Sequence, residues 1–365
     1  MKSVFQGRIE KLRKVLSEKK LDGIFLSNLK NIRYLTGFSG STAKAVITAD
    51  QALLILDFRY FTQASEQAPH MEVFKVEASD YLKAYQGAIA KSKVNVLGFE
   101  GDNLTFDDFE KLRSGSPDLN WTDAPGLIES LRMIKDPDEA ATIKKACRIT
   151  SKALAETLDI IKPGMTELDV LAELEYRMRK GGGGNLAFDT IVASGVRSSM
   201  PHASASEKVI EEGDFVTIDC GSSFGDYCAD TTRTVVIGEP DKKQSEVWNA
   251  VREAMEMGIK AVKPGISCRE VDGIARDYLA SLGFGEYFGH GLGHGVGLEV
   301  HEEPRLNGRS DEILQAGMIV TVEPGVYIPD WGGVRLEQLV WVTEQGAEVF
   351  TDAPISIRPL SAPVK

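Results

Sequence analysis

Histidine is scarce here, with five in 365 residues (70, 202, 290, 294 and 301). Cysteine is scarcer still, at four positions (147, 220, 228 and 268). None of these pairs as CxxC, which argues against a disulfide framework and leaves Cys220 and Cys228 a thin basis for a zinc-thiolate site. No apolar run approaches the ~18 residues that a membrane span needs. The opening MKSVFQGRIEKLRKVLSEKK lacks the apolar core and cleavage site of a signal peptide. Basic residues are outnumbered by acidic ones, 42 to 54, and the net charge of −12 argues against nucleic acid or an anionic membrane surface as partner. What remains is a protein expected in the cytoplasm, whose 42% hydrophobic content is enough to bury real cores.

A chain of 365 residues is long enough for two domains. The first part alternates helical and strand patterns. Phe5, Ile9, Leu12, Val15 and Leu16 mark one face of an opening helix. Short apolar runs follow in "GIFLS", "AKAVIT", "ALLILD" and "VNVLGFE", which is α/β in character. His70, the single histidine of this part, reads as a surface residue. Around "DAPGLIESLRMIKDPDE" the texture changes: Asp136 with Pro137, Asp138 and Glu139 is a strong helix start. The boundary is placed near 127, giving domains 1–126 and 127–365.

The second part repeats itself. "IIKPGMTELDVLAELEYRM" is echoed 101 residues later, from Lys162 to Lys263, by "AVKPGISCREVDGIARDYL". Thr166 with Asp169 and Ser267 with Glu270 have capping-box spacing at the second helix of each copy. The echo continues into strands, where "EEGDFVTIDCG" matches "LQAGMIVTVEPG" and sets Asp219 against Glu323. Further on, "DTTRTVVIG" matches "EQLVWVTEQG" and sets Asp230 against Glu337. Two half-domains, each a helix pair over strands, would face each other with two acids apiece.

In "FVTID" and "IVTVE", Val216 and Ile218, like Val320 and Val322, alternate with Thr217, Asp219, Thr321 and Glu323. One such acid caps a turn. Four at matched positions, if they converge, raise one another's pKa and weaken the fold. Two divalent cations resolve the conflict, since four carboxylates supply −4 and two ions +4. Such a pair, roughly 3.5–4 Å apart, can hold a hydroxide as nucleophile and polarise a carbonyl, which is metal-assisted hydrolysis. Carboxylate-rich donors with one imidazole suit Mn2+, with Co2+, Zn2+ and Fe2+ as alternatives. Three of the histidines fall in "FGHGLGHGVGLEVHEEP" (288–304). The spacing of His290 and His294 suggests a helical zinc motif, but glycine at 289, 291, 293, 295 and 297 argues against a helix at about 1 kcal/mol each. Arg305 stands where H-E-x-x-H would place its second histidine.

The ordered set Asp219, Asp230, "GHGLGHGVGLEVHEEP", "TVEPGVY" and "GVRLE" resembles the pita-bread metallopeptidases. That family, M24, includes methionine aminopeptidases, Xaa-Pro aminopeptidases, prolidases and creatinase. The likeness spans 127–365, and "NIRYLTGFSGS" (31–41) resembles the N-terminal domain of the proline-specific and creatinase branch. The resemblance implies a creatinase-type α/β domain followed by an α+β pita-bread domain with a pseudo-twofold repeat. It implies two metal ions held by Asp219, Asp230, His294, Glu323 and Glu337, with Asp230 and Glu337 bridging. Glu323 would also move the proton, His301 would meet the reacting carbonyl, and His202, counted with these two as catalytic, would line the substrate pocket with His290, Tyr327 and Arg335. The implied reaction is cleavage of Xaa-Pro bonds in short peptides by a homodimer, as dipeptidase or aminopeptidase. An Xaa-Pro bond is a tertiary amide without N–H, and a metal-activated water needs none on its target. One departure is Gln338, where relatives carry Asp after the ligating Glu; an amide brings no negative charge there. The rival readings are a metal-independent creatinase-like hydrolase, which does not need four clustered acids, and a silent peptide-binding module, which would have lost ligands.

Overall fold

The computed structural model describes residues 3–77 and 79–359. The chain divides into two compact units, with the division between Arg132 and Met133.

The first unit contains α1 (Val4–Glu18), β1 (Gly23–Leu26), α2 (Leu29–Thr36), β2 (Lys44–Thr48), β3 (Ala52–Leu56), α3 (Phe61–Gln67) and β4 (Glu72–Lys75). It continues through α4 (Tyr81–Ser92), β5 (Val96–Phe99), α5 (Phe106–Ser114), β6 (Asn120–Asp123) and α6 (Leu127–Arg132). The six strands form one sheet in the order β4-β3-β2-β1-β5-β6, with β2 antiparallel to both neighbours and the other pairs parallel. Strands β1, β2 and β3 are almost wholly buried, which is why they read as unbroken apolar runs. The two edges, "EVFK" and "NWTD", are charged and half exposed and give no such signal. His70, expected at the surface, is half-buried: it stacks on Phe5, and burial lowers its pKa. Helix α6 packs with the first unit, because Ile128 is buried there, Tyr34 donates to the Leu131 carbonyl and Arg132 donates to Asn31.

The second unit runs through α7 (Pro137–Leu158), α8 (Glu167–Lys180), β7 (Ile191–Ser194), β8 (Phe215–Cys220), β9 (Ser223–Phe224), β10 (Tyr227–Cys228) and β11 (Thr231–Val236). Then come α9 (Lys242–Ala261), α10 (Cys268–Ser281), β12 (Gly293–Gly295), β13 (Glu302–Leu306), β14 (Ile319–Val322), β15 (Gly325–Ile328), β16 (Gly332–Arg335), β17 (Gln338–Thr343) and β18 (Gly346–Val349). Helix α7 starts as its sequence dictates: Asp136 caps it, Pro137 occupies the first turn and Glu139 closes a capping box. Both repeat-related boxes, Thr166–Asp169 and Ser267–Glu270, are formed.

The repeat is visible as architecture. One helix pair, α7 and α8, covers a sheet ordered β11-β8-β7, while α9 and α10 cover β13-β12-β14-β17-β18. Val216 and Ile218 enter the first core and Val320 and Val322 the second. The threonines between them point the other way: Thr217 meets Thr234, and Thr321 meets the backbone of His294. Equivalent loops carry equivalent glycines in the left-handed region, Gly164 (φ 92°) with Gly265 (φ 87°) and Gly213 (φ 87°) with Gly317 (φ 97°). Nothing lies within 4 Å of a Cβ built on Gly164 or Gly265, so alanine there meets only backbone strain. Gly164→Ala and Gly265→Ala should each destabilise the second unit by about 1–2 kcal/mol, by similar amounts, in thermal unfolding. A neutral effect at either site would contradict the equivalence.

Candidate metal centre

The acids sit where strands end. Asp219 is the penultimate residue of β8 and Asp230 immediately precedes β11; Glu323 follows β14 and Glu337 precedes β17. The two halves are stitched together here, with Glu337 N donating to the Thr232 carbonyl and Arg335 N to Thr234 Oγ1. As a result carboxylate oxygens of Asp219, Asp230 and Glu337 lie within 4.8 Å of one another. His294, at the middle of β12, directs Nε2 toward Asp230 Oδ2 at 3.5 Å and Glu323 Oε1 at 3.2 Å.

The glycines around His294 have a steric cause. β12 is flanked by β13 and β14, and a Cβ on Gly293 would collide with the Thr321 carbonyl, one on Gly295 with that of Glu303. The alternate glycines therefore let three backbones close around His294, which no helix could do. His294 Nδ1 faces the Gly295 carbonyl at 3.1 Å. A carbonyl only accepts, so Nδ1 carries a hydrogen; in the metal-free fold Nε2 carries one too and donates to Glu323, and a cation would take that hydrogen's place on Nε2.

Carboxylates turned toward one another call for a cation. Asp219 Oδ1 and Glu337 Oε1 are buried and have no hydrogen-bond partner among the described residues. In the metal-free fold, burial raises the pKa of Asp219 against the pull of Arg335. It raises that of Asp230 far more, reinforced by Glu337 and Asp219, and that of Glu337 far more, reinforced by Glu323 and Asp219. Glu323 goes the other way: burial is outweighed by the His294 hydrogen bond and charge, which hold it at about 2. An oxygen-rich donor set with one imidazole, two orphaned oxygens and like charge only partly offset by Arg335 fits divalent cations. The zinc-thiolate alternative finds no support, because Cys220 and Cys228 are buried and point their sulfurs at the Thr231 and Leu298 carbonyls.

The remaining candidates surround a cavity of about 760 Å³ lined by His202, His290, His294, His301, Asp219, Asp230, Glu323, Tyr327 and Arg335. Arg335, 4% exposed, donates to Asp219 Oδ2 (2.7 Å), the Tyr327 hydroxyl (2.8 Å), Thr232 Oγ1 (3.1 Å) and the Pro201 carbonyl (3.3 Å). Tyr327 passes its own hydrogen to His290 Nε2 at 3.1 Å, since His290 Nδ1 is engaged with the Gly291 carbonyl. His301 packs its ring against His294 at 4.3 Å between centroids; burial and His294 pull its pKa down to about 4. Exposed His202 follows Pro201, whose carbonyl Arg335 holds.

Two residues of the centre carry no motif that marks them in the sequence. Thr232 accepts from Arg335 and donates to Glu337 Oε2 at 2.8 Å, linking the halves. Arg233 is 1% exposed and donates to the carbonyls of Thr232, Glu337, Ala353 and Pro354. It also reaches Gln338 Oε1 at 3.3 Å, so the unusual amide meets a guanidinium where a carboxylate would have formed a buried ion pair. Both belong to "DTTRT" beside Asp230, a polar run inside a fully buried strand, and that is the one signal they offer.

A carboxylate-rich, imidazole-bearing centre between duplicated half-domains defines the class: a metal-dependent enzyme of the pita-bread fold. Comparison with known proteins gives the family. Residues 141–344 match the metallopeptidase family M24 and residues 8–134 match the creatinase/prolidase N-terminal domain. The chain is 39% identical to the Xaa-Pro dipeptidase of Pyrococcus furiosus over 345 residues, 94% of this chain and 97% of that one. Among solved structures it resembles an Xaa-Pro dipeptidase from Bacillus anthracis (44% identity, TM-score 0.94, 97% and 99% of the two chains). It also resembles an X-Pro aminopeptidase from Thermotoga maritima MSB8 (39%, TM-score 0.88, 96% and 99%). The protein belongs to metallopeptidase family M24. It is a metallopeptidase whose family uses divalent metal ions, and the pita-bread and creatinase-type domains expected from sequence are both present.

The raised acids have a consequence for stability. A folded carboxyl whose pKa exceeds its unfolded value holds a proton that the unfolded chain releases, so metal-free stability falls as pH rises above the usual carboxylate range. Bound cations remove that penalty. Chelation should therefore lower the melting temperature more at about pH 8 than at about pH 5.5. A loss of equal size at both values would contradict the assignment.

Proposed function

We propose that this protein hydrolyses Xaa-Pro bonds of short peptides with two divalent ions, Mn2+ by donor chemistry, held by Asp219, Asp230, His294, Glu323 and Glu337. The observation that carries the proposal is the convergence of three carboxylates, two with orphaned oxygens, from matched positions of both halves. Relatives named for Xaa-Pro cleavage support the substrate class. Bound there, the ions would supply a water of lowered pKa and a Lewis acid for the peptide carbonyl.

The chain's own groups do the rest. Glu323, oriented by a 3.0 Å hydrogen bond from Thr321, accepts the attacking water's proton and returns it to the proline nitrogen, which must be protonated to leave. His301 is neutral at pH 7 and offers an N–H to the carbonyl oxygen as charge develops there. His202 and the His290–Tyr327 pair form walls that take the pyrrolidine ring. With most of its hydrogens engaged by protein, Arg335 acts on substrate chiefly by fixing Asp219 and Tyr327. A cytoplasmic homodimer is the form in which we expect the enzyme to act. The four buried free thiols fit that compartment.

The test is hydrolysis of Leu-Pro, Ala-Pro and Ala-Pro-Ala by protein stripped of metal and reloaded with Mn2+, Co2+ or Zn2+. Cleavage of the dipeptides alone defines a dipeptidase, and cleavage of the tripeptide as well an aminopeptidase. No cleavage with any ion would overturn the proposal.

A further inference from the structure

Lys135 precedes α7, and its side chain is 1% exposed. Its ammonium donates to Glu302 Oε2 at 3.1 Å, and the Glu302 side chain is 7% exposed. The other carboxylate oxygen accepts Glu299 N at 3.1 Å. Gly297 lies against the same carboxylate: a Cβ there would come within 2.5 Å of Oε2 and 2.8 Å of Oε1. Lys135 is itself fixed, its backbone N donating to the Gly317 carbonyl at 2.9 Å.

Glu302 thus closes the 297–302 turn from inside, and Lys135 ties the turn to the start of α7. Removing two charges from water offsets most of their attraction, so such a pair adds little stability but a definite place. The place matters here. Glu302 follows His301 directly, and it pairs with Gly295, which follows His294, at the irregularity between β12 and β13. His294 is held independently, by its strand and by Thr321. His301 is placed by the turn and by its ring contact with His294.

We propose that Lys135 and Glu302 are positioning residues for the reaction: the buried pair sets the turn that aims the His301 ring past His294 at the substrate carbonyl. Without Lys135 that buried ion pair is gone, and the turn shifts with the adjoining His301. The inference rests on the Xaa-Pro reading above, and Leu-Pro cleavage by the unaltered enzyme tests that reading separately.

The experiment is a double-mutant cycle on Leu-Pro hydrolysis by the Mn2+-loaded enzyme, with metal content measured for every variant. Lys135→Met should lower kcat by about 10- to 100-fold, the scale of a side chain misplaced by about 1 Å, with KM and metal content little changed. In a His301→Ala background the same substitution should cost less than about twofold, because its route is already gone. A merely structural role would cost as much in both backgrounds, or strip the metal, and either result overturns the proposal. Should Lys135→Met fail to fold, the charge-free pair Lys135→Met with Glu302→Gln replaces it in the same cycle. Lys135→Arg, which keeps the cation, should retain more kcat than Lys135→Met; equal losses would also count against the proposal.

Discussion

Repulsion among buried carboxylates governs this structure. Asp230 and Glu337, brought beside Asp219 and Glu323, are held in a site where each disfavours the ionisation of the others. A fold that assembles such a cluster without a cation gives up stability, and one that assembles it around cations gains a reaction centre. Arg335, Thr232 and Arg233 are best understood as the scaffold that keeps these acids convergent against their own repulsion. Hydrogen bonds from these residues cross between the halves, so the duplicated architecture and the site are one design.

Duplication explains why the acids come in matched pairs, and asymmetry explains why only one half carries histidine at the centre. Both halves carry a hairpin between the matched strands, β9–β10 in the first and β15–β16 in the second. The strand beside them differs: β7 brings no histidine, whereas β12, its counterpart, with β13 added outside it, carries His294, and the glycine spacing lets that ring reach the acids. The metal ligands are symmetric in carboxylates and asymmetric in nitrogen, and His290 and His301 line the cavity from the second half, against His202 from the first. A substrate therefore meets different neighbours at its two ends, as cleavage of one particular bond requires.

Much of this is legible in the amino-acid sequence, for identifiable reasons. The echo of 160–178 in 261–279 carries on into the strands and so aligns Asp219 with Glu323, while capping chemistry at Asp136, Thr166 and Ser267 marks real helix starts. Buried strands announce themselves as apolar runs. Edge strands β4 and β6 do not, because half-exposed pairing leaves no periodic hydrophobic trace. Thr232, Arg233 and Lys135 escape notice for a related reason: each is a polar side chain whose partner lies about a hundred residues or more away, and only the fold brings the two together. His70 reads as surface because the stacking partner that covers it, Phe5, belongs to a distant helix.

By the proposed function, the converging acids and His294 hold two divalent ions. Its most direct test is calorimetric titration of the metal-free protein with Mn2+, comparing the unaltered chain with Glu337→Ala. Two ions should bind per unaltered chain. The variant, which lacks one proposed shared ligand and retains Asp230 and Asp219, should lose at least one. Absence of binding by the unaltered chain, or full binding by the variant, would contradict the proposed function.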